Sequence, residues 1–335
     1  MSPQISNSIS YMRFIALWCI LSHHSFCVYS GWPPNLDVIL GLPDSFQVLS
    51  SVCKGIGLVS FCMISGMLVS YSFTKYNSNK NIYDNWSRFI IKKFKRLIIP
   101  AIVWGVVYAL FFNRYMLHVH FPSFINGTHL WFLPMLFLLM LGISPVVFNR
   151  ALWVIPLFMY ICFFLNPFSR TTNEFVNYFP SFVCGYFFYR LIADKGLHKL
   201  NIKLNIKDLL YKAFPIIGCI TVYFLLSKYY DFYFSYAIYL ISVIVLLTVF
   251  NHLTKQLSRF FELKAAKFAT KESFTIYIVH QFVIILLSFL DIPILSSASV
   301  ASVLIYFIAC FCCSSVIAYI LSSLREKYRL IEFVA

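Results

Sequence analysis

Apolar residues run through this chain in stretches of about 20, the length an α-helix needs to cross a bilayer, and short polar segments separate them. The runs predict spanning helices near 8–30, 50–73, 97–116, 128–147, 151–166, 174–193, 212–229, 232–251, 272–291 and 299–323. The expected fold is all-α: a polytopic integral membrane protein of about ten transmembrane helices. The first run has no basic segment before it and no small-residue cleavage site after it, so it reads as a retained helix and not a signal peptide.

Lysine and arginine give these helices a direction, because cytoplasmic loops should carry them. Segment 75–96 holds seven, 190–212 six, 255–271 five and the tail three, and the turn after the fourth helix has Arg150, which together make 22 of the 27. All of them fall on one side if ten helices start from a cytoplasmic N-terminus, so both termini are expected inside. The other side receives 31–49, 117–127, 167–173 and 292–298, rich in Pro, Gly, Asn and Ser, with Arg170 as their clear cation. No internal repeat, low-complexity tract or loop of soluble-domain size interrupts the pattern. One membrane domain is expected over 1–335.

Composition fits this reading. Hydrophobic residues are 60% of the chain and charged ones 12%, against about 25% charged in soluble domains. A net charge of +15 would suggest nucleic acid in a soluble protein. Here the cations sit in short segments between apolar runs, so topology explains them and the expected surroundings are a lipid bilayer, with no nucleic acid. The ten cysteines, Cys310, Cys312 and Cys313 among them, lie mostly inside apolar runs without paired metal spacing. They read as small core residues, with no metal expected.

Against that background the polar residues inside apolar runs are the informative ones. Arg13 and His24 lie 11 residues apart in the first helix, which at about 100° per residue leaves them about 20° from the same face, with a rise of roughly 16 Å. His23 points about 80° away, so phase favours His24 as the functional partner of Arg13. A second reading has Arg13 snorkelling to the headgroups and both histidines interfacial, but ionisable residues within a membrane are functional candidates by default.

Lys92-Lys93-Phe94-Lys95-Arg96 runs into the third helix ahead of Pro100. Positive-inside anchoring accounts for it. So does phosphate binding by Lys93 and Arg96, which share a helical face at i and i+3; coenzyme A is such a ligand. Ser65-Gly66 permits close helix packing. His280 lies about nine residues from the nearest cytoplasmic cations, near mid-membrane, with Ser273 and Tyr277 on its face. It reads either as a bonded core histidine or as a site residue. Trp131 reads as part of the interfacial aromatic belt, whereas His118, His120 and His129 either face an acceptor or are ordinary loop residues.

Taken in order, these segments resemble acyltransferase family 3, a family of membrane acyltransferases. Arg13 and His24 match its Arg, ten residues and His. Ile64-Ser65-Gly66-Met67 is similar to its Ile-Ser-Gly-Phe-like segment, with Met for Phe. Lys93-Phe94-Lys95-Arg96, followed by Pro100, resembles its Arg-x-x-Arg with Lys at the first position, which removes one bidentate phosphate donor. Leu130-Trp131-Phe132-Leu133 and Ser273 through His280 supply the remaining two motifs, so five occur in order from the first predicted helix to the ninth.

The resemblance implies a cytoplasmic acyl-CoA donor, usually acetyl-CoA, and transfer to a glycan hydroxyl. The expected activity is O-acetylation of a bacterial surface polysaccharide such as the O-antigen of lipopolysaccharide, or of its lipid-linked precursor, at the inner membrane. No appended extracytoplasmic hydrolase-like domain is expected. In this reading His24 is the general base and Arg13 its partner at the donor. Lys93 and Arg96 anchor the CoA, and Ser65, Trp131, Tyr277 and His280 support the site. A transporter or flippase for glycan or acyl intermediates is the competing class. Against it, the chain shows no Gly/Pro-broken segments in two matching halves, the usual sign of such a site.

Overall fold

The computed structural model describes residues 3–30, 44–76, 82–112, 129–143, 170–195, 237, 239–247, 259–288, 290 and 299–327. Their regular structure is helical, with no strand among them. The long elements are α1 (Pro3–Cys27), α2 (Asp44–Tyr76) and α3 (Ile82–Phe112). A 3-10 turn (His129–Trp131) leads into α4 (Phe132–Gly142), followed by α5 (Arg170–Lys195). The chain then gives α6 (Lys264–Lys271), α7 (Ser273–Ser288) and α8 (Val300–Lys327). The predicted spans at 151–166 and 212–229, and His118 and His120, lie outside the described residues.

This is a membrane protein. α2 over Ser45–Ser72, α3 over Ser87–Phe111 and α8 over Val300–Lys327 are long and apolar enough to cross a bilayer, and α6 with α7, bent by 86° at their junction, make a fourth span if counted as one. Several boundaries differ from the sequence expectation. α2 and α3 begin well before the apolar runs at 50 and 97, so the basic stretch 92–96 lies inside α3 and not in a turn before it. Arg170, expected in an outer loop, is instead the first residue of α5. The cause is amphipathicity. In α5 the buried residues Phe175, Tyr178, Phe179, Phe182, Tyr186 and Tyr189 recur at helical spacing, so one stripe of the helix packs from its first turns onward.

α1 touches α2, α6, α7 and α8, and α2 lies between α1 and α5. The α2–α5 crossing needs two glycines. A Cβ at Gly66 would overlap the Phe182 carbonyl, and one at Gly185 would overlap the Met63 carbonyl. The obstacles are backbone atoms, which cannot rotate aside, so small residues set the helix separation. Gly66 thus has the packing role its sequence context suggested. At the α1–α2 contact Gly57 leaves room for the Ile20 side chain, whose Cδ1 would lie 2.8 Å from an added Cβ.

Two prolines sit inside helices, Pro100 in α3 and Pro180 in α5. Pro100 has no N–H, so the Arg96 carbonyl lacks its usual partner four residues on. That loss falls beside the cations described below.

Replacing Gly66 by Leu should cost at least about 1–3 kcal/mol through overpacking. The measurement is the thermal midpoint of detergent-purified protein, with Gly142→Ala as control. A Cβ at Gly142 meets side-chain atoms of Phe175 and Phe179 at 3.3 Å, rings that can shift where a carbonyl cannot, so the control should lower the midpoint far less than Gly66→Leu.

Candidate active site

Arg13 and His24 occupy one unbroken helix, and the adjacent histidines near its C-terminal end take different partners. His23 turns to α2, with Nδ1 2.8 Å from Ser50 Oγ and 3.1 Å from the Ser50 carbonyl oxygen, while Cys27 Sγ lies 3.5 Å from its Nε2. His24 turns to α7. Its Nδ1 is 3.4 Å from Gln281 Nε2, and its ring centroid is 4.9 Å from that of His280 and 6.4 Å from that of His129. The step of about 100° between consecutive helical residues produces this split.

Hydrogen bonds fix how these rings are used. The His129 backbone N–H donates to Gln281 Oε1 over 2.9 Å. A backbone N–H can only donate, so the Gln281 oxygen faces residue 129 and its NH2 group faces His24. His24 Nδ1 is then the acceptor, and the neutral ring carries its proton on Nε2. His129 Nδ1 lies 2.5 Å from the same Oε1 and Nε2 2.9 Å from the Ile278 carbonyl. The doubly protonated ring donates to both oxygens; a neutral ring leaves one nitrogen facing a lone pair. Tyr277 donates its hydroxyl to the His129 carbonyl over 2.9 Å.

His280 is fully buried. Its Nδ1–H donates to the Tyr277 carbonyl over 2.5 Å, and its Nε2 has no hydrogen-bond partner among the described residues. Its centroid is 4.7 Å from the His129 ring and 5.5 Å from the Tyr277 ring. α1, the 129–131 turn and α7 thus converge on three imidazoles.

Charge collects elsewhere. A basin of about 670 Å³ is lined by Arg88, Lys92, Lys95, Arg96, Lys271 and Arg325, with Glu272 as its carboxylate. A smaller cavity of about 130 Å³ shares Arg96, Lys271 and Phe274 with it and adds Arg13, Ser65, Lys93 and Tyr277 to its walls. Five predicted site residues, Arg13, Ser65, Lys93, Arg96 and Tyr277, therefore line one cavity. Tyr277 also touches the imidazole cluster that holds two more, His24 and His280.

Trp131 lies in neither cavity. It is 3% exposed, not part of an interfacial belt, and its ring stacks on Tyr178 at 6.5 Å. Membrane position alone predicted the belt; α5 covers the ring instead.

Several functional candidates escaped sequence reading. Arg88, Lys92, Lys95 and Arg96 follow i, i+4, i+7 and i+8, one helical stripe, which would have marked the basin had 82–96 been read as helix. Gln281 and Glu272 gave no comparable signal. Glu272, at the α6–α7 bend, accepts from Thr275 and Ser322 at 3.3 Å and from Arg325 at 3.2 Å, tying the end of α8 to the basin wall. Among the described residues, His23, His24 and Cys27 bring potential metal-ligand atoms within 4.8 Å of one another.

Glu272→Gln keeps the shape but leaves Arg325 without its carboxylate, a charged bond worth about 1.5–3 kcal/mol. The expected outcome is a lower thermal midpoint, which Arg325→Ala in the same background should lower little further.

A family model described as an acyltransferase domain matches residues 6–320, nearly the whole chain. Neither a curated protein nor a solved structure matches it. The chain belongs to this acyltransferase family.

Proposed function

We propose that this membrane acyltransferase moves an acetyl group from cytoplasmic acetyl-CoA to a hydroxyl of a surface polysaccharide such as O-antigen, or of its lipid-linked precursor, in the bacterial inner membrane. The observation that carries the donor half is the cationic basin that shares walls with the smaller cavity beside Tyr277. Six cations face one carboxylate there, and that carboxylate is already bonded to Arg325. The surplus suits a ligand with several phosphates, which Arg binds through paired N–H donors. Coenzyme A carries three phosphates at one end and a slender arm bearing the thioester at the other.

Phosphates in the basin leave that arm to pass Arg96 into the smaller cavity, where Arg13 and Lys93 add positive charge. Arg13, on the same cavity as Lys93 and Arg96, is assigned to the donor's phosphates. His24 is assigned to the acceptor. Its Nδ1 contact to Gln281 at 3.4 Å is long, and a sugar hydroxyl can replace it.

The reaction then balances within these groups. The hydroxyl oxygen bonds to the acetyl carbon as its proton passes to His24 Nδ1. The tetrahedral oxyanion collapses with cleavage of the C–S bond, and the coenzyme A thiolate recovers the proton. Transfer through an acetyl-histidine uses the same nitrogen as nucleophile.

Glycan acetyl content in a deletion strain, read by mass spectrometry, tests the assignment. Complementation with His24→Ala should lower it by about 10²-fold or more, the usual worth of a general base, whereas His23→Ala, whose ring faces Ser50, should retain it. Full acetylation with His24→Ala overturns the assignment. With purified protein, CoA should be released only when acceptor is present; a transporter would move glycan without consuming the donor. Arg96→Ala should raise KM for acetyl-CoA about tenfold or more, the loss of one charged hydrogen bond.

A further inference from the structure

The imidazole cluster holds a basic nitrogen that the transfer just described leaves unused. His280 is fully buried at 0% exposure, and its Nε2 has no hydrogen-bond partner among the described residues. Leaving such a group unsatisfied costs about 1–3 kcal/mol, and more where no water reaches it. Its other nitrogen is committed, because the Tyr277 carbonyl can only accept and Nδ1 lies 2.5 Å from it. The proton of neutral His280 therefore sits on Nδ1, and Nε2 presents a lone pair.

His24 has the complementary arrangement. Gln281, held by the His129 N–H, offers its NH2 to His24 Nδ1, so the His24 proton is on Nε2. One ring carries an unpartnered acceptor, the other a donor, and their centroids are 4.9 Å apart with a tilt of 49°. We infer that His280 is the positioning residue for His24: Nε2 of His280 receives the Nε2–H of His24 as the site closes, in a chain from the Tyr277 carbonyl through His280 to His24.

That bond does two things for the acyl transfer proposed above, on which its catalytic meaning rests. It holds His24 in the tautomer whose Nδ1 lone pair faces the acceptor. It also stabilises the imidazolium that forms when Nδ1 takes the hydroxyl proton, since the Nε2–H then points at a lone pair. No proton leaves the pair: His24 gains one at Nδ1 and returns it to the coenzyme A thiolate. This is the logic of a base oriented by a third group, with a neutral imidazole where a carboxylate would add a buried charge in the membrane.

Two measurements test the inference. Nitrogen-15 NMR of histidine-labelled protein should show His280 with a proton on Nδ1 and a bare Nε2; a proton on Nε2 overturns the inference whatever the activity. In kinetics, His280→Asn keeps an N–H near the Tyr277 carbonyl but has no basic nitrogen. It should lower kcat about 10²-fold with KM for acetyl-CoA unchanged, and little further loss should follow when it is combined with His24→Ala. A kcat within twofold of wild type, or a loss confined to KM, overturns it. Should wild-type protein release no CoA in the presence of acceptor, the acetyltransferase reading fails, and the NMR tautomer still decides the His280 arrangement.

Discussion

A buried imidazole has no water to bond, so the His129 and His280 rings, which meet the half-buried His24, depend on the polar atoms the fold brings to them. The His129 N–H bond to Gln281 is the anchor of that arrangement, because a backbone N–H can only donate and so orients the amide. It sets the direction of the Gln281 amide, the amide sets the acceptor nitrogen of His24, and the 3-10 turn ahead of α4 is tied to α7. Tyr277 and His129 cross-link the same two elements, the first through the His129 carbonyl and the second through the Ile278 carbonyl. Tyr108 brings α3 to that carbonyl as well, at 3.4 Å.

The chemistry is divided along α1. Arg13 stands with Lys93 and Arg96 around a cavity that shares walls with a cationic basin, and His24 stands 11 residues on among neutral or bonded rings, roughly 16 Å away by helical rise. Guanidinium and ammonium groups suit phosphates, whereas a base needs a lone pair, so the two sets gain from separation. Tyr277 belongs to both, through its place in the cavity wall and its hydroxyl bond to His129.

The phase relation of Arg13, His23 and His24 was legible because it depends only on an unbroken helix, and α1 is one. The cavity residues were legible through motifs whose members converge in space. Boundaries were less so: apolar runs mark where lipid demands hydrophobic residues, but α3 continues through 82–96 as an amphipathic helix whose basic stripe faces the basin. What the sequence hides is the worth of a polar residue whose partner is remote. Gln281 and Glu272 look ordinary until His129, Ser322 and Arg325 arrive from elsewhere in the chain, and Trp131 looks interfacial until α5 covers it.

The basin also has an electrostatic cost. Lys92, Lys95 and Arg96 are exposed, and concentrating them with Arg88, Lys271 and Arg325 works against folding through mutual repulsion. Glu272 offsets part of it, through Arg325 at 3.2 Å and Lys271 at 3.7 Å, but one carboxylate faces six cations. An arrangement that opposes stability yet is held by a defined bend and a buried carboxylate is understandable if an anion completes it. Around exposed cations, attraction falls off over a Debye length of about 8 Å at physiological salt, so added salt weakens the basin's pull on any anion. Beside Arg13 and Lys93, in the more enclosed cavity, screening is weaker, so the field of those two cations depends less on salt.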